Sequence, residues 1–528
     1  MAMAGAQHGA RHDPTGIPGL DLVLGGGLPR GGLALLVGPP GSGKTTLATQ
    51  VAFEAARTGR RTLVLTAYSE PASKLIEHMR SFTFFDEPLL GETISALALQ
   101  QYLARGLEAT AEEIVAEARR RGDRLVVIDG FRGMSAAPGV PGAARKFLYD
   151  LSLALAQMGA TTLITTEAEP RDAALFAEAT TADVLIAMHY RLLGVRAWRA
   201  IEVVKVRGAD PLLGLHGLAV GASGATVYPR LEARVAGAAR QADPDGESIS
   251  PGPLATGAKV AFDLPQLDAL LDGGLTPTTP TLLLGSSGSG KTLLSLYFVL
   301  AGVRAGEPAV FLGFHETRGE LLRKADVFDL GRQLRDALEP GGGLTLLRQP
   351  PVERDPDIVA DQVLAALDRT GARRLVVDSI SVLQRAVQRG GDANREEDYL
   401  GALIEALRAR DVTTLLVKES RELAARDLVV SADMLSIVAA SVMWLQQVSH
   451  RGRLRRIVSV PKMRFSTHDG SLREFTISVP EGIRVLAPFV ADREPSDELE
   501  PLPFVPDSSP RAGGPGASRD GYREREEA

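Results

Sequence analysis

Two glycine-rich segments of the chain carry the residue types that bind phosphate groups. GPPGSGKTT begins at Gly38 and GSSGSGKTL begins at Gly285, and both fit the pattern G-x-x-x-x-G-K-[ST]. Glycines let the backbone turn so tightly that several N–H groups point at one place, and the helix that follows adds its positive amino-terminal end. The chain therefore contains two predicted phosphate-binding loops, or P-loops.

Each P-loop pattern predicts roles for its members. Lys44 and Lys291 would contact the β- and γ-phosphates of a nucleotide, and Thr45 and Thr292 would ligate Mg²⁺. The other predicted nucleotide-binding residues are the remaining small or polar loop members and the first helical residues: Gly38, Gly41, Ser42, Gly43, Thr46, Gly285, Gly288, Ser289, Gly290 and Leu293.

Two pairs of carboxylates follow strand-like runs. Asp129 and Asp378 end the apolar runs RLVVID and RLVVD, where a Walker B aspartate directs its carboxylate toward Mg²⁺. Glu70 and Glu316 follow the second strand-like run of each half, where a carboxylate can orient and polarise an attacking water. The alternative for both glutamates is an exposed turn residue. The guanine-reading pattern N-K-x-D is absent from the sequence, which favours ATP over GTP.

The landmarks occur twice in one order. Lys44 and Lys291 are 247 residues apart, and four further pairs repeat at offsets of 246 to 257 residues. These pairs are Glu70 and Glu316, Asp129 and Asp378, Glu167 and Glu419, and the K-x-R lysines Lys205 and Lys462. We interpret the chain as a tandem duplication. The predicted domains span residues 14–231 and 258–486, after an extension of residues 1–13.

Composition supplies the remaining boundaries. Residues 232–257 are rich in Ala, Gly, Pro, Ser and Asp and are predicted to be a linker. Residues 487–528 combine Pro, Gly and Ser with an acidic excess and are predicted to be a disordered tail. Within each domain, short β-rich runs such as LALLVG and TTLITTE alternate with helical patterns. This alternation predicts an α/β fold with mainly parallel sheets flanked by helices.

Charge and cysteine content limit the classes of function. The 59 basic and 65 acidic residues give a net charge of −6, which does not favour nucleic-acid binding. The basic run HRGRLRR, with Arg451, Arg453, Arg455 and Arg456, is the exception. With no cysteine, the chain cannot form disulfides or use thiol chemistry. No run of about 18 apolar residues and no signal-peptide pattern is found, so a cytoplasmic location without membrane contact is expected.

The order of P-loop, post-strand glutamate, Walker B aspartate and late K-x-R resembles the RecA-like ATPases. The tandem arrangement, with GIPGLDLVLGGGLPRGG, EPAVFLGFHET and SVPKMRFSTHDGSLREFTIS, resembles the KaiC family, named for a circadian clock ATPase. The resemblance covers residues 14–231 and 258–486. It implies a homo-hexamer of two stacked RecA-like rings with ATP and Mg²⁺ at the subunit interfaces.

On this resemblance, two K-x-R pairs would reach the ATP of a neighbouring subunit. These are Lys205 and Arg207 in the first domain and Lys462 and Arg464 in the second. A cation supplied by a neighbour neutralises charge that develops on the γ-phosphate. The alternative is that K-x-R alternates on an exposed strand edge.

The sequence departs from the family pattern in two places. The family has two adjacent glutamates after the second strand, whereas this chain has Ser69–Glu70 and His315–Glu316. His315 would be either a proton acceptor or a packed or exposed histidine. The family also phosphorylates an adjacent Ser–Thr pair, and alignment places Ser436 and Ile437 there, with Ser431 or Ser441 as the serine after a small shift.

Three functions follow from these patterns. The first is an ATPase that hydrolyses ATP at subunit interfaces, with Ser/Thr autokinase activity in the second domain as an addition. The second is a nucleotide-gated signalling scaffold with little hydrolysis and unknown protein partners. The third is a DNA repair ATPase of the RecA/RadA type.

Overall fold

The computed structural model describes residues 11–66, 72–99, 105–131, 143–169, 180–193, 195–242, 258–350, 352, 355–389, 394–420, 434–450 and 453–488. They form two nine-stranded sheets and a small antiparallel ribbon of β1 (His12–Asp13) and β2 (Leu28–Pro29). Each large sheet carries helices on both faces, so the predicted α/β fold of two tandem P-loop domains is confirmed.

The first sheet contains strands β3 to β11. Their bounds are β3 Leu33–Gly38, β4 Thr62–Thr66, β5 Ile94–Ala98, β6 Leu125–Asp129, β7 Thr161–Glu167, β8 Val184–Leu193, β9 Arg196–Val206, β10 Leu215–Gly221 and β11 Gly224–Tyr228. The helices of this half are Leu20–Leu24, Lys44–Arg57, Ala72–Met79, Leu107–Arg121 and Ala143–Gln157, with a 3₁₀ turn at Glu87–Leu89.

The second sheet contains strands β12 to β20. Their bounds are β12 Pro280–Gly285, β13 Ala309–Gly313, β14 Leu344–Arg348, β15 Arg374–Asp378, β16 Thr413–Glu419, β17 Ser441–His450, β18 Arg453–Met463, β19 Arg473–Ser478 and β20 Gly482–Pro488. The helices are Pro265–Leu270, Lys291–Arg304, Arg318–Val327, Gly331–Leu338, Pro356–Thr370, Ile380–Gln388, Arg395–Arg408 and Met434–Val438.

The two sheets have the same strand order. The first runs β11-β10-β9-β8-β3-β7-β6-β4-β5, and the second runs β20-β19-β18-β17-β12-β16-β15-β13-β14. In each, the six strands at one side are parallel and the three at the other side are antiparallel. This identity of topology agrees with the tandem duplication predicted from the repeated landmarks.

The P-loop strands lie in the middle of their sheets and are buried on both faces. In β3, Leu33, Leu35 and Val37 join the core beneath helices Leu107–Arg121 and Ala143–Gln157, whereas Ala34 and Leu36 join the core beneath helix Lys44–Arg57. Successive side chains of a strand point to opposite faces, so a strand between two helical layers is apolar at every position. Each buried strand ends at the first glycine of its P-loop, so the packing of the strand fixes the position at which the loop begins.

A helix at Leu231–Ala242 joins the two halves, so the first part of the predicted linker is helical. Leu231 belongs to the core of the second half. Its backbone N–H donates to Asp357 Oδ1 at 3.0 Å, and Arg395 donates to both Asp357 and Glu232 at 2.7–2.8 Å. A buried network of charges therefore ties the end of the first half to the second.

We expect Arg395→Met to destabilise the second half by about 3 kcal/mol, because it leaves the buried Asp357 carboxylate without its counter-ion. The measurement is urea unfolding followed by circular dichroism. Arg408→Met is the matched control, since Arg408 lies on the same helix in an exposed pair with Glu405. Equal unfolding midpoints for the two variants would contradict the expectation.

Within the described part of the chain, no helix combines the length and the apolar character needed to cross a membrane.

Candidate active site

The two P-loops have the same local geometry. Lys44 Nζ donates to the carbonyl oxygens of Gly38 and Pro39 at 2.8 and 2.9 Å, and Lys291 Nζ donates to those of Gly285 and Ser286 at 2.9 and 2.6 Å. The residues before the lysines, Gly43 and Gly290, both have φ near +100°, a conformation that glycine adopts without strain. Each lysine is therefore held across the loop that it would use to bind phosphate.

The P-loops also contain polar groups with unused hydrogen-bonding capacity. The Ser42 and Ser289 hydroxyls are fully buried and have no hydrogen-bond partner among the described residues. Burial lowers the pKa of Lys44, while the negative charges of Glu167 and Asp129 raise it. Burial likewise lowers the pKa of Lys291, while the negative charges of Glu419 and Asp378 raise it. Such loops fit a ligand with many anionic oxygens.

The predicted metal ligands lie together in both halves. Thr45 Oγ1 donates to both oxygens of Asp129 at 3.1 Å, and Thr292 Oγ1 donates to Asp378 Oδ2 at 2.8 Å. Burial raises the pKa of Asp378, and the nearby Glu316 carboxylate raises it further. Among the described residues no cluster of three His, Asp or Glu side chains could hold a metal by itself. One hydroxyl and one carboxylate fit Mg²⁺, which takes its other ligands from phosphate and water.

Glu316 faces the phosphate side of the second half. It lines a cavity of about 480 Å³ together with Lys291, Thr292 and Asp378. Its Oε1 accepts a hydrogen bond from Lys324, and its Oε2 is buried without a partner among the described residues. His315 lines the same cavity but is exposed rather than packed. Ser69 and Glu70 lie outside the described residues.

The K-x-R pairs lie at the amino ends of the parallel strands, whereas the P-loops follow the carboxyl ends. Lys205 pairs with Leu185, which pairs with Leu35 in the middle of β3, and Lys205 Nζ points away from the P-loop and donates to Ala182 O at 2.6 Å, before β8 begins. Lys462 occupies the same place in the second half, where Nζ donates to Ser436 O and Ala439 O at 2.5 and 2.8 Å.

Each P-loop follows the carboxyl end of a six-residue strand, which is about 17–20 Å long. Arg207 and Arg464 follow their lysines, lie level with the amino ends of β3 and β12, and are exposed. One chain therefore does not bring its K-x-R residues to its own P-loops.

The structure adds a second arginine pair that the sequence reasoning missed as site residues. Arg456 on β18 lines the cavity of the second half, and Arg199 on β9 donates from Nε to Gly41 O of the first P-loop at 3.0 Å. The two are 257 residues apart, the offset that relates Lys205 to Lys462, so the repeat could have identified them. Each supplies a positive charge beside its own P-loop.

Glu167 and Glu419 are also near the P-loop lysines. Glu167 pairs in register with Gly38, and Glu419 pairs with Gly285 and lines the cavity. Both were recognised in the sequence only as repeat landmarks.

Two arginines of the basic run HRGRLRR, the predicted exception to weak nucleic-acid binding, make contacts within the second half. Arg455 forms an ion pair with Glu474 at 2.7 Å, and Arg456 faces the cavity. Arg453 is exposed on β18, and Arg451 lies outside the described residues.

The predicted phosphorylation position lies beside Lys462, whose Nζ donates to the Ser436 carbonyl oxygen. Ser436 is only 9% exposed, whereas the next residue, Ile437, is 51% exposed. Ser441 is fully buried at the start of β17, and Ser431 lies outside the described residues.

Comparison with known proteins agrees with this geometry. The family model described as "ATPase: KaiC" matches residues 13–232 and again residues 261–489. The chain belongs to the KaiC family of ATPases. Membership makes it an ATP-binding protein and confirms the resemblance stated above.

Three relatives show how far this similarity extends. The circadian clock oscillator protein KaiC of Picosynechococcus is 26% identical over 90% of this chain and 89% of its own length. KaiC 1 of Synechocystis is 25% identical over 88% of this chain and 87% of its own. KaiC of Synechococcus elongatus is 26% identical over the same shares.

Proposed function

We propose that this KaiC-family protein hydrolyses ATP at sites that a neighbouring copy completes. The P-loop, threonine and Walker B aspartate of one copy bind the nucleotide. Lys205 and Arg207, or Lys462 and Arg464, of the next copy neutralise charge on the γ-phosphate. The observation that carries this proposal is that, within one chain, the K-x-R cations lie at the amino ends of the strands whose carboxyl ends lead into the P-loops.

The same separation favours a closed ring. An interface between the amino-terminal sheet edge of one copy and the carboxyl-terminal edge of the next is heterologous, and such contacts form rings when the rotation closes. Six copies is the number that the family resemblance implies. Burial and the neighbouring Arg207 lower the pKa of Lys205, and burial and Arg464 lower the pKa of Lys462.

The residues around the cavity support hydrolysis at the second site. The oxygen of a water molecule forms a bond to the γ-phosphorus while the bond from that phosphorus to the β,γ-bridging oxygen breaks, and ADP leaves with the electron pair. Glu316 Oε2 accepts a hydrogen bond from the attacking water, whose proton ends on the released phosphate. Lys291 and Arg456 hold the phosphate oxygens. Mg²⁺, held by Thr292 and Asp378, would neutralise charge on the β- and γ-phosphates.

The test is ATP-dependent phosphate release by the assembled protein, with Glu70→Gln and Glu316→Gln alone and together. We expect the double variant to be slower by about 100-fold, since a positioned base contributes at least that much. Glu77→Gln and Glu339→Gln are exposed controls that should keep native turnover. Native turnover in the double variant, or none in the unaltered protein, would contradict the proposal. The second result, combined with ATP-dependent assembly, would favour the nucleotide-gated scaffold.

Phosphoryl transfer to Ser436 is a second candidate function. Its position beside Lys462, at the edge that would face a neighbour's nucleotide, favours it, whereas the burial of this residue, which is only 9% exposed, opposes it. Protein labelling by ATP that carries ³²P in the γ-phosphate, lost in Ser436→Ala, would support this activity. We place DNA repair below both candidates, because Arg455 and Arg456 are used inside the domain.

A further inference from the structure

Lys324 is a basic residue that lines the cavity of the second half and belongs to no P-loop, Walker B or K-x-R motif. It lies on the helix Arg318–Val327, which follows β13 directly. A capping box starts this helix: the Thr317 side chain accepts from Glu320 N at 3.2 Å, and the Glu320 carboxylate accepts from Thr317 N at 2.8 Å. The helix therefore begins at a fixed place immediately after Glu316.

The helix presents Lys324 to the cavity in one orientation. Leu321 and Ala325, on the neighbouring face, are buried in the core of the second half. Lys324 Nζ donates to Glu316 Oε1, and both side chains are about one third exposed. Lys324 lines the cavity with Glu316, Lys291 and Asp378. The pair is thus part of the cavity wall rather than of the outer surface.

The two oxygens of Glu316 have different surroundings. Oε1 is bound to Lys324, whereas Oε2 is buried and has no partner among the described residues. A buried carboxylate oxygen without a donor destabilises the folded protein, and a water molecule in the cavity can supply that donor. The ion pair therefore leaves one oxygen of the carboxylate for the water.

We propose that Lys324 is a positioning residue of the second site, which holds Glu316 by one oxygen so that the other accepts the hydrogen bond of the attacking water. This inference rests on the proposed hydrolysis. It assigns to Lys324 no contact with the nucleotide and no proton transfer of its own.

The two halves differ at this position. The residue 246 positions before Lys324, the offset that relates Glu70 to Glu316, is His78. His78 lies on the corresponding helix Ala72–Met79. The two halves therefore place different basic residue types, lysine and histidine, at this position.

The experiment uses the full chain with Glu70→Gln, so that phosphate release reports mainly the second site. The same chain with Lys291→Ala supplies the baseline to be subtracted. In this background we expect Lys324→Met to lower kcat by about tenfold or more, because a misplaced base costs rate. The KM for ATP should stay within about twofold, because Lys324 does not bind the nucleotide.

Two further variants separate positioning from a structural role. Lys324→Arg keeps the charge and should restore part of kcat. Combining Lys324→Met with Glu316→Gln should cost no more than Glu316→Gln alone, because the lysine acts only through that carboxylate. Arg323→Met, which removes the adjacent exposed charge of the same helix, is the matched control and should leave kcat unchanged.

The failures are distinguishable. Native kcat in Lys324→Met, a raised kcat, or losses that add in the double variant would overturn the inference while leaving hydrolysis intact. Phosphate release that does not depend on Lys291 even before Lys324 is changed would overturn hydrolysis at the second site, and this inference with it.

Discussion

A chain in which Lys205 and Arg207 are both replaced by methionine is expected to hydrolyse ATP at the first site about 1,000-fold more slowly, the lower end of what a cation supplied by a neighbour contributes. ATP binding at that site should survive, because its P-loop is intact. Phosphate release is measured in chains that also carry Glu316→Gln, so that the first site dominates the signal.

Mixing subunits tests whether the cations act between copies. The Lys205→Met/Arg207→Met chain keeps its P-loop, and a Lys44→Ala chain keeps its K-x-R pair. In rings formed from equal amounts of the two, about one interface in four combines an intact P-loop with an intact pair, so about a quarter of the activity should return. The Lys205 Nζ and the Arg207 guanidinium lie at the amino end of β8, away from their own P-loop, and a mixture as inactive as its parts would contradict action in trans.

Lys44→Ala and Lys291→Ala are each expected to weaken ATP binding at their own site by about 100-fold, because each removes charged hydrogen bonds to the phosphates. Hydrolysis at that site should fall at least as far. Isothermal titration should show one tight ATP per chain in each variant and two in the unaltered protein.

The control for this pair is Lys146→Ala. Lys146 is exposed and pairs with Glu108 and Asp150, away from both P-loops, yet its removal changes the net charge by the same amount. Two tight sites in Lys44→Ala would show that the first P-loop does not bind ATP through this lysine.

The local parts of the site were predictable because their residues are contiguous. A P-loop needs a strand, a turn of glycines and a helix start in succession, and the structure has this succession at Lys44 and Lys291. The Walker B aspartates follow the same logic, because both strand ends reach one edge of a parallel sheet. Burial of the central strands on both faces made these elements visible as apolar runs.

Contacts between distant elements were not predictable in this way. The Lys324–Glu316 pair depends on the direction in which a helix leaves a strand, and the charge network at Arg395 depends on how helix Leu231–Ala242 packs on the second half. Composition assigned most of that helix to a linker because alanine and glycine dominate it, and only packing shows its apolar face in use.

By itself the sequence determined the duplication, the α/β class, the two P-loops and their threonine and aspartate partners, since each follows from spacing within one short segment or from the repeat. Tertiary structure alone decided that the K-x-R cations lie at the amino ends of the strands, away from their own P-loops, that Arg199 and Arg456 lie beside the P-loops, and that Ser436 is buried. The physical reason is strand register, which places residues hundreds of positions apart at one edge of a sheet and neighbours in sequence at opposite faces.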